Sequence, residues 1–324
     1  MHQCLRLLLI AVAVSVAAPA AAEPEPTPKV LAKRVVGDEP WRSNEFRMPV
    51  GLISDLMVVG TPADTERGVL GGAVFVFKSN GNDWIQVQKI LPPAPSAGFQ
   101  FGFALSIEEQ IDSGEAWLAV GAPAKDNGRV YLYKREGDAF TFKQVLTGVN
   151  FGDFFGHSVA INVDIPTNQE DQRWTLVVGA TQFKHDIRPR QTGAVFISNL
   201  GAGDSWGPPG LPLSAAENSP DIATNIGFSV ALDGDVLITG APNQQVNGQN
   251  GAGAVYFASR GAPGTWVQGK AFENPDPIDG QSFGGAHFGA TVAVVNQIVP
   301  TRVPTGNYVN VIGSPEYTTE VPGG

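Results

Sequence analysis

The sequence predicts an all-β protein, a β-propeller of about five four-stranded antiparallel blades, incomplete at its C-terminal end. Three observations predict it. An apolar run closed by a glycine-led corner returns five times, at Gly60, Gly121, Gly179, Gly240 and Gly313, with spacings of 61, 58, 61 and 73 residues. After a variable loop, the first four corners lead into a glycine followed by alternating apolar residues, the period-two mark of a strand with two unlike faces. The 324 residues hold 39 glycines and 25 prolines against only 16% charged residues, which favours short strands joined by many turns over long charged helices.

Each unit reads as four runs in a fixed order. The first is FGFALSIE (101–108), FGHSVAIN (155–162), IGFSVALD (226–233) or FGATVAVV (288–295). Its small residues suit a crowded inner edge where blades converge. GHSVA resembles the elbow of a serine hydrolase, but Ala104 and Thr291 fill the place of Ser158 in other copies, so the frame is architecture and not a nucleophile. The second run carries the corner: LMVVGTP, WLAVGAP, TLVVGAT, VLITGAP and VNVIGSP. Turn geometry accounts for its glycine and proline. The third is GGAVFVF, GRVYLY, GAVFIS or GAVYFA, and the fourth WIQVQKI, FTFKQVL or WVQGKAF. The first copy is hidden, yet FRMPVGLISDLMVVGTP (46–62) aligns without gaps on IGFSVALDGDVLITGAP (226–242). Both place a two-residue turn, Ser54-Asp55 or Gly234-Asp235, between two apolar runs, as a tight hairpin requires.

The units therefore fall near 46–91, 101–147, 155–213, 226–272 and 288–324, the last stopping where its third strand should begin. Residues 1–22 read as a secretory signal, with Arg6 before an apolar run too short to span a bilayer and a small-residue cleavage site after it. Residues 23–28 form a linker, and 29–36, KVLAKRVV, has the character of an outer strand and is a candidate to close the last blade. Cys4 lies within the signal, so the remaining fold uses no disulfide. The expected location is secreted, extracellular or periplasmic, or at the cell surface, with no membrane span after the signal. A net charge of −10 disfavours nucleic acid as a partner.

The combined FG, GAP and GxVYVF pattern resembles the FG-GAP repeat, the β-propeller blade of integrin alpha chains and of many secreted bacterial proteins, over roughly residues 29 to 324. The short hairpin and the WxQxxK strand look closer to the bacterial type. The resemblance implies adhesion or protein interaction, often stabilised by calcium on a D-x-D-x-D-G loop between the first two strands. That loop departs here. Copies one and four have two-residue turns, too short to wrap an ion that takes six to eight oxygens. Copy three offers NVDIPTNQED, where Asn162, Asp164, Glu170 and Asp171 are the candidate calcium ligands.

No zinc motif, paired cysteine or phosphate loop is present, and His157 and Ser158 point to opposite faces of a strand. The expectation is a chain that is no enzyme and recognises an extracellular protein or glycan through loops on one rim, since a rigid scaffold presents variable loops. The richest candidate loop is QFKHDIRPRQT, with Phe183, Lys184, His185, Arg188 and Arg190 forming a basic and aromatic spot. Two alternatives stand beside it: a propeller-fold carbohydrate-active enzyme with acidic residues near the channel mouth, and a structural spacer in a longer surface protein.

Overall fold

In the computed structural model, which describes residues 49–94, 96–164, 173–184, 192–210, 213, 224–261, 265–275, 287–298 and 304–313, each sequence copy forms one antiparallel sheet wound outward in chain order. Blade 1 is β1 (Val50–Leu52), β2 (Leu56–Thr61), β3 (Ala73–Ser79) and β4 (Trp84–Ile90). Blade 2 is β5 (Ala104–Gln110), β6 (Glu115–Ala122), β7 (Arg129–Glu136) and β8 (Ala139–Thr147). Blade 3 holds β9 (Phe155–Asp164), β10 (Arg173–Ala180) and β11 (Ala194–Asn199). Blade 4 is β12 (Ser229–Asp233), β13 (Val236–Ala241), β14 (Ala254–Arg260) and β15 (Trp266–Glu273), and β16 (Thr291–Ile298) pairs with β17 (Pro304–Gly313) in blade 5. The first strands β1, β5, β9, β12 and β16 adjoin in succession, so the sheets are set side by side about a common inner edge. This is the predicted β-propeller. The expected signal (1–22), linker (23–28), closing strand (29–36) and C-terminal break lie outside the described residues.

Alternation along each strand gives the two faces of a sheet to two different seams. Leu56, Val58, Val74 and Val76 of blade 1 bury themselves against Leu118, Val120, Tyr131 and Tyr133 of blade 2. The opposite face of blade 2, through Trp117, Ala119 and Leu132, packs on Val159, Ile161, Leu176 and Phe196 of blade 3. Blade 3 repeats the pattern toward blade 4 with Val177 and Val195 against Leu237 and Tyr256. Each such side chain removed from water contributes about 1.5–3 kcal/mol, so the seams carry the fold. The fourth run of blade 3 is irregular. Trp206 and Leu213 make single bridges to Leu200 and Val195, and Pro208 and Pro209 between them have no N–H to extend a ladder.

The repeated glycines have a different cause from the turn geometry expected of them. Gly60, Gly121, Gly179 and Gly240 lie inside second strands. A Cβ on any of them would fall on the carbonyl of Gly102, Gly156, Gly227 or Gly289, the FG glycine of the next blade. Those partners have φ of +88°, +92°, +85° and +87°, a left-handed backbone that suits glycine. The residue before each FG glycine makes a parallel bridge to the glycine opening the third strand of the preceding blade: Gly72 with Phe101, Gly128 with Phe155, Gly193 with Ile226, Gly253 with Phe288. The F-G and G-A-P signatures are thus two halves of one backbone-to-backbone contact across each seam.

Candidate functional site

Second strands end at the corners and lead into loops on one rim, where the connections between blades also run. Across blades 1 to 3 these loops are braced into a continuous band by hydrogen bonds to backbone carbonyls, from backbone and side-chain donors. Gly98 N donates to Val69 O at 2.8 Å and Gln100 N to Leu70 O at 2.9 Å. Lys125 Nζ donates to Ala97 O at 3.3 Å. Asn127 Nδ2 reaches Gly148 O at 3.0 Å and Val149 O at 3.3 Å, while Gly152 N bonds Asp126 O at 2.8 Å. The last step, Gln182 N to Asp153 O at 3.1 Å, joins blade 3. On this braced support Phe151 is 83% exposed, Val69 73% and Val149 61%, values at which large apolar side chains gain nothing from the fold itself. Lys125 stands among them, its ammonium 5.2 Å from the ring centre of Phe99, which also carries the Arg129 guanidinium at 4.3 Å.

The basic and aromatic loop predicted from sequence enters this band only in part. Lys184 is exposed at its edge. Phe183 turns inward and is buried edge-on against Phe196 at 5.2 Å, so its ring is committed to the core. His185, Arg188 and Arg190 lie outside the described residues. Sequence reasoning missed Val69, Val149 and Phe151. Their signal was available: each is an apolar residue in a turn-rich connection, off the alternating pattern.

The opposite end of the inner strands carries charge. Glu108 on β5 is pushed up to about 7 by burial, then by Asp233 and Glu109. Asp164, at the end of β9, is held above the usual carboxylate range by burial and by Asp235, against Arg260 and Arg173. Asn162 Oδ1 accepts from Gly234 N at 3.0 Å, so this candidate calcium ligand ties blade 3 to the turn of blade 4. Glu170 and Asp171 lie outside the described residues. Among the described residues, no three His, Cys, Asp or Glu side chains are grouped so as to hold a metal ion.

Ser158 is accounted for. Its Oγ donates to Gly227 O at 2.7 Å, as Ser229 Oγ does to Gly289 O at 2.8 Å one blade later, so both hydroxyls serve the glycine contact. The neighbouring His157 ring lies between Phe103 and Phe228, at 5.2 and 4.9 Å. Among the described residues, no helix is long and apolar enough to cross a membrane.

No family model matches this chain. It is similar to human (Homo sapiens) integrin alpha-6, at 34% identity over 116 residues, which is 35% of this chain and 10% of that protein. Mouse (Mus musculus) integrin alpha-7 is 32% identical over 117 residues, again 35% of this chain and 10% of the relative. Chicken (Gallus gallus) integrin alpha-8 is 28% identical over 172 residues, 49% of this chain and 16% of the relative. The chain spans about a tenth of the length of the first two relatives. These similarities support the integrin-alpha-like propeller over about a third of the sequence. Among solved structures, a thermostable family-43 glycoside hydrolase is similar at a TM-score of 0.42 and 12% identity, over 82% of this chain and 88% of that one. On this finding the expectation of a chain that is no enzyme is withdrawn, while a likeness of that size assigns no activity.

Proposed function

We propose that this chain is a secreted recognition or adhesion propeller, of the bacterial FG-GAP type, that holds an extracellular protein or glycan on the loop band over blades 1 to 3. The observation that carries the reading is the exposure of Phe151, Val149 and Val69 on loops braced to one another by hydrogen bonds to backbone carbonyls. Exposed apolar anchors on a rigid support are what a recognition surface needs, because little order is lost on binding. Lys184 extends the band, and His185, Arg188 and Arg190, which follow it in sequence, are proposed to contribute to binding. The similarity to integrin alpha chains supports the same reading. The test is a glycan array and an extracellular-matrix protein panel, probed with the wild type and with Phe151→Ser combined with Val149→Ser. Loss of the strongest signal by about tenfold or more, with an unchanged melting midpoint, is expected. Equal binding by both forms sinks the proposal.

A second reading rests on Glu108. Burial, with the charge of Asp233 adding to it, holds the Glu108 carboxyl near neutrality, which is what the general acid of a glycoside-cleaving site needs. If the chain cleaves polysaccharide, Glu108→Gln abolishes the release of reducing ends while leaving array binding intact. Release that survives the substitution rules Glu108 out.

A further inference from the structure

The resemblance to FG-GAP repeats implies a calcium loop, present in many copies, between the first and second strands. The turns of blades 1 and 4 do not fit that ion: two residues each, Ser54-Asp55 and Gly234-Asp235, cannot supply its six to eight oxygens. Their carboxylates are already engaged by a cation of another kind. Arg135 Nη2 lies 3.0 and 3.1 Å from the two oxygens of Asp55, and its Nη1 lies 2.8 Å from Glu109 Oε1. The other oxygen of Glu109 accepts from Ser54 Oγ at 2.5 Å. Lys78 Nζ, also near Asp55 at 3.9 Å, bonds Asp138 instead. In blade 4, Arg260 Nε is 2.8 Å from Asp235 Oδ1, and its Nη2 donates to Thr175 Oγ1 of blade 3 at 2.9 Å.

Arg135 and Arg260 occupy the same place in the repeat, the seventh residue after the glycine that opens the third strand, Gly128 and Gly253. Both are well covered, with side chains 15% and 7% exposed. Both also reach across a seam, Arg135 from blade 2 to the turn of blade 1 and Arg260 from blade 4 to β10. A guanidinium offers donors in a fixed fork that can hold two acceptor groups at once, and it stays charged at any physiological pH.

We infer that Arg135 and Arg260 stand in for the divalent cation at the turns of blades 1 and 4, so that blade 1 is latched to blade 2 and blade 4 to blade 3 by the chain itself, with no metal needed at either turn. The turn carboxylates are neutralised and bridged to the adjoining blade in the folded chain at any calcium concentration.

The test is a set of thermal melts on the full chain, comparing wild type, Arg135→Met and Arg135→Lys, each in EDTA and in millimolar calcium chloride. In EDTA the Met variant is expected to melt roughly 4 °C below wild type. The Lys variant, which keeps the charge but loses the fork, should fall between them and serves if the Met variant does not fold. Calcium should raise the Met midpoint by more than it raises that of wild type, because Glu109 of blade 2 is then free to add its oxygens to those of Asp55 and Ser54, which the turn alone lacks in number, with water completing the shell. The comparison with wild type cancels any ion held elsewhere in the chain. The inference is overturned if the Met variant melts with wild type in EDTA, or if calcium shifts the two midpoints equally.

Discussion

The inner and outer parts of the same seam are built differently. Near the axis, backbone meets backbone: Gly121 against Gly156, and the equivalent pairs at each of the four seams from blade 1 to blade 5. Farther out, side chains do the joining. Gln88 of β4 donates through Nε2 to Phe140 O at 3.0 Å and accepts from Phe140 N at 2.8 Å, so its amide imitates a strand neighbour for β8. Gln144 does the same to Trp206 at 2.8 Å in both directions. At the next seam the equivalent position, four residues after the opening aromatic, is Gly210, which has no side-chain amide to offer. There a groove opens between blades 3 and 4, lined by Leu213, Ile226, Leu237 and Tyr256. The lesson is that a repeat stays strict where no side chain fits and varies where side chains make the contact.

The sharpest way to break this contrast is Gly121→Ala. A Cβ there has to displace the Gly156 carbonyl, a backbone atom on a neighbouring blade that cannot rotate away. We expect a loss of at least about 3 kcal/mol in the urea unfolding free energy. A loss under about 1 kcal/mol shows that the seam gives way and that the glycine is a matter of propensity. By contrast Gly137, at φ +66° with no heavy atom within 4 Å of a built Cβ, should cost on replacement by Ala only about 1 kcal/mol of backbone strain.

Next in size is the charge at the other end of the inner strands. Glu108 has a folded value of about 7 against an ordinary 4.5, so the native state holds its proton more tightly than the unfolded chain. Its stabilising share is therefore fully present below 4.5 and is lost as pH rises through about 7. Linkage puts the loss at about 3 kcal/mol between mildly acid and alkaline solution. Glu108→Gln should flatten that slope and be the more stable form in alkali. Parallel slopes for the two proteins in denaturant titrations across pH refute the assignment.

The outer seam predicts smaller effects. Gln144→Leu strips both partners from the Trp206 backbone and should cost about 2 kcal/mol, read as a lower urea midpoint with an unchanged slope. Smallest is Ser158→Ala, which removes one bond to Gly227 O and should cost about 1 kcal/mol. Should it instead destroy an activity while leaving stability intact, the structural role given to that hydroxyl is mistaken.

Several elements were legible from residues alone because they depend on local patterning. The strand order, the two-residue turns at Ser54-Asp55 and Gly234-Asp235, and the hidden first copy all followed from periodicity and alignment. The candidate site was less legible. Phe183 sits in a polar loop and reads as a surface anchor, but its burial depends on Phe196, a residue on the following strand. Phe154, at φ +57°, has no sequence signature for a left-handed backbone, since that conformation is imposed by the bridge its neighbour Phe155 makes to Gly128 of blade 2.

The amino-acid order by itself determined the repeating unit and the order of the strands within each described copy, because period-two burial and turn residues act within a few positions of one another. Only the tertiary structure decided what the repeated glycines and the two arginines are for. Gly121 and Gly156, or Arg135 and Asp55, belong to different blades, and contacts between copies depend on how closely two sheets approach, a distance that no local pattern encodes.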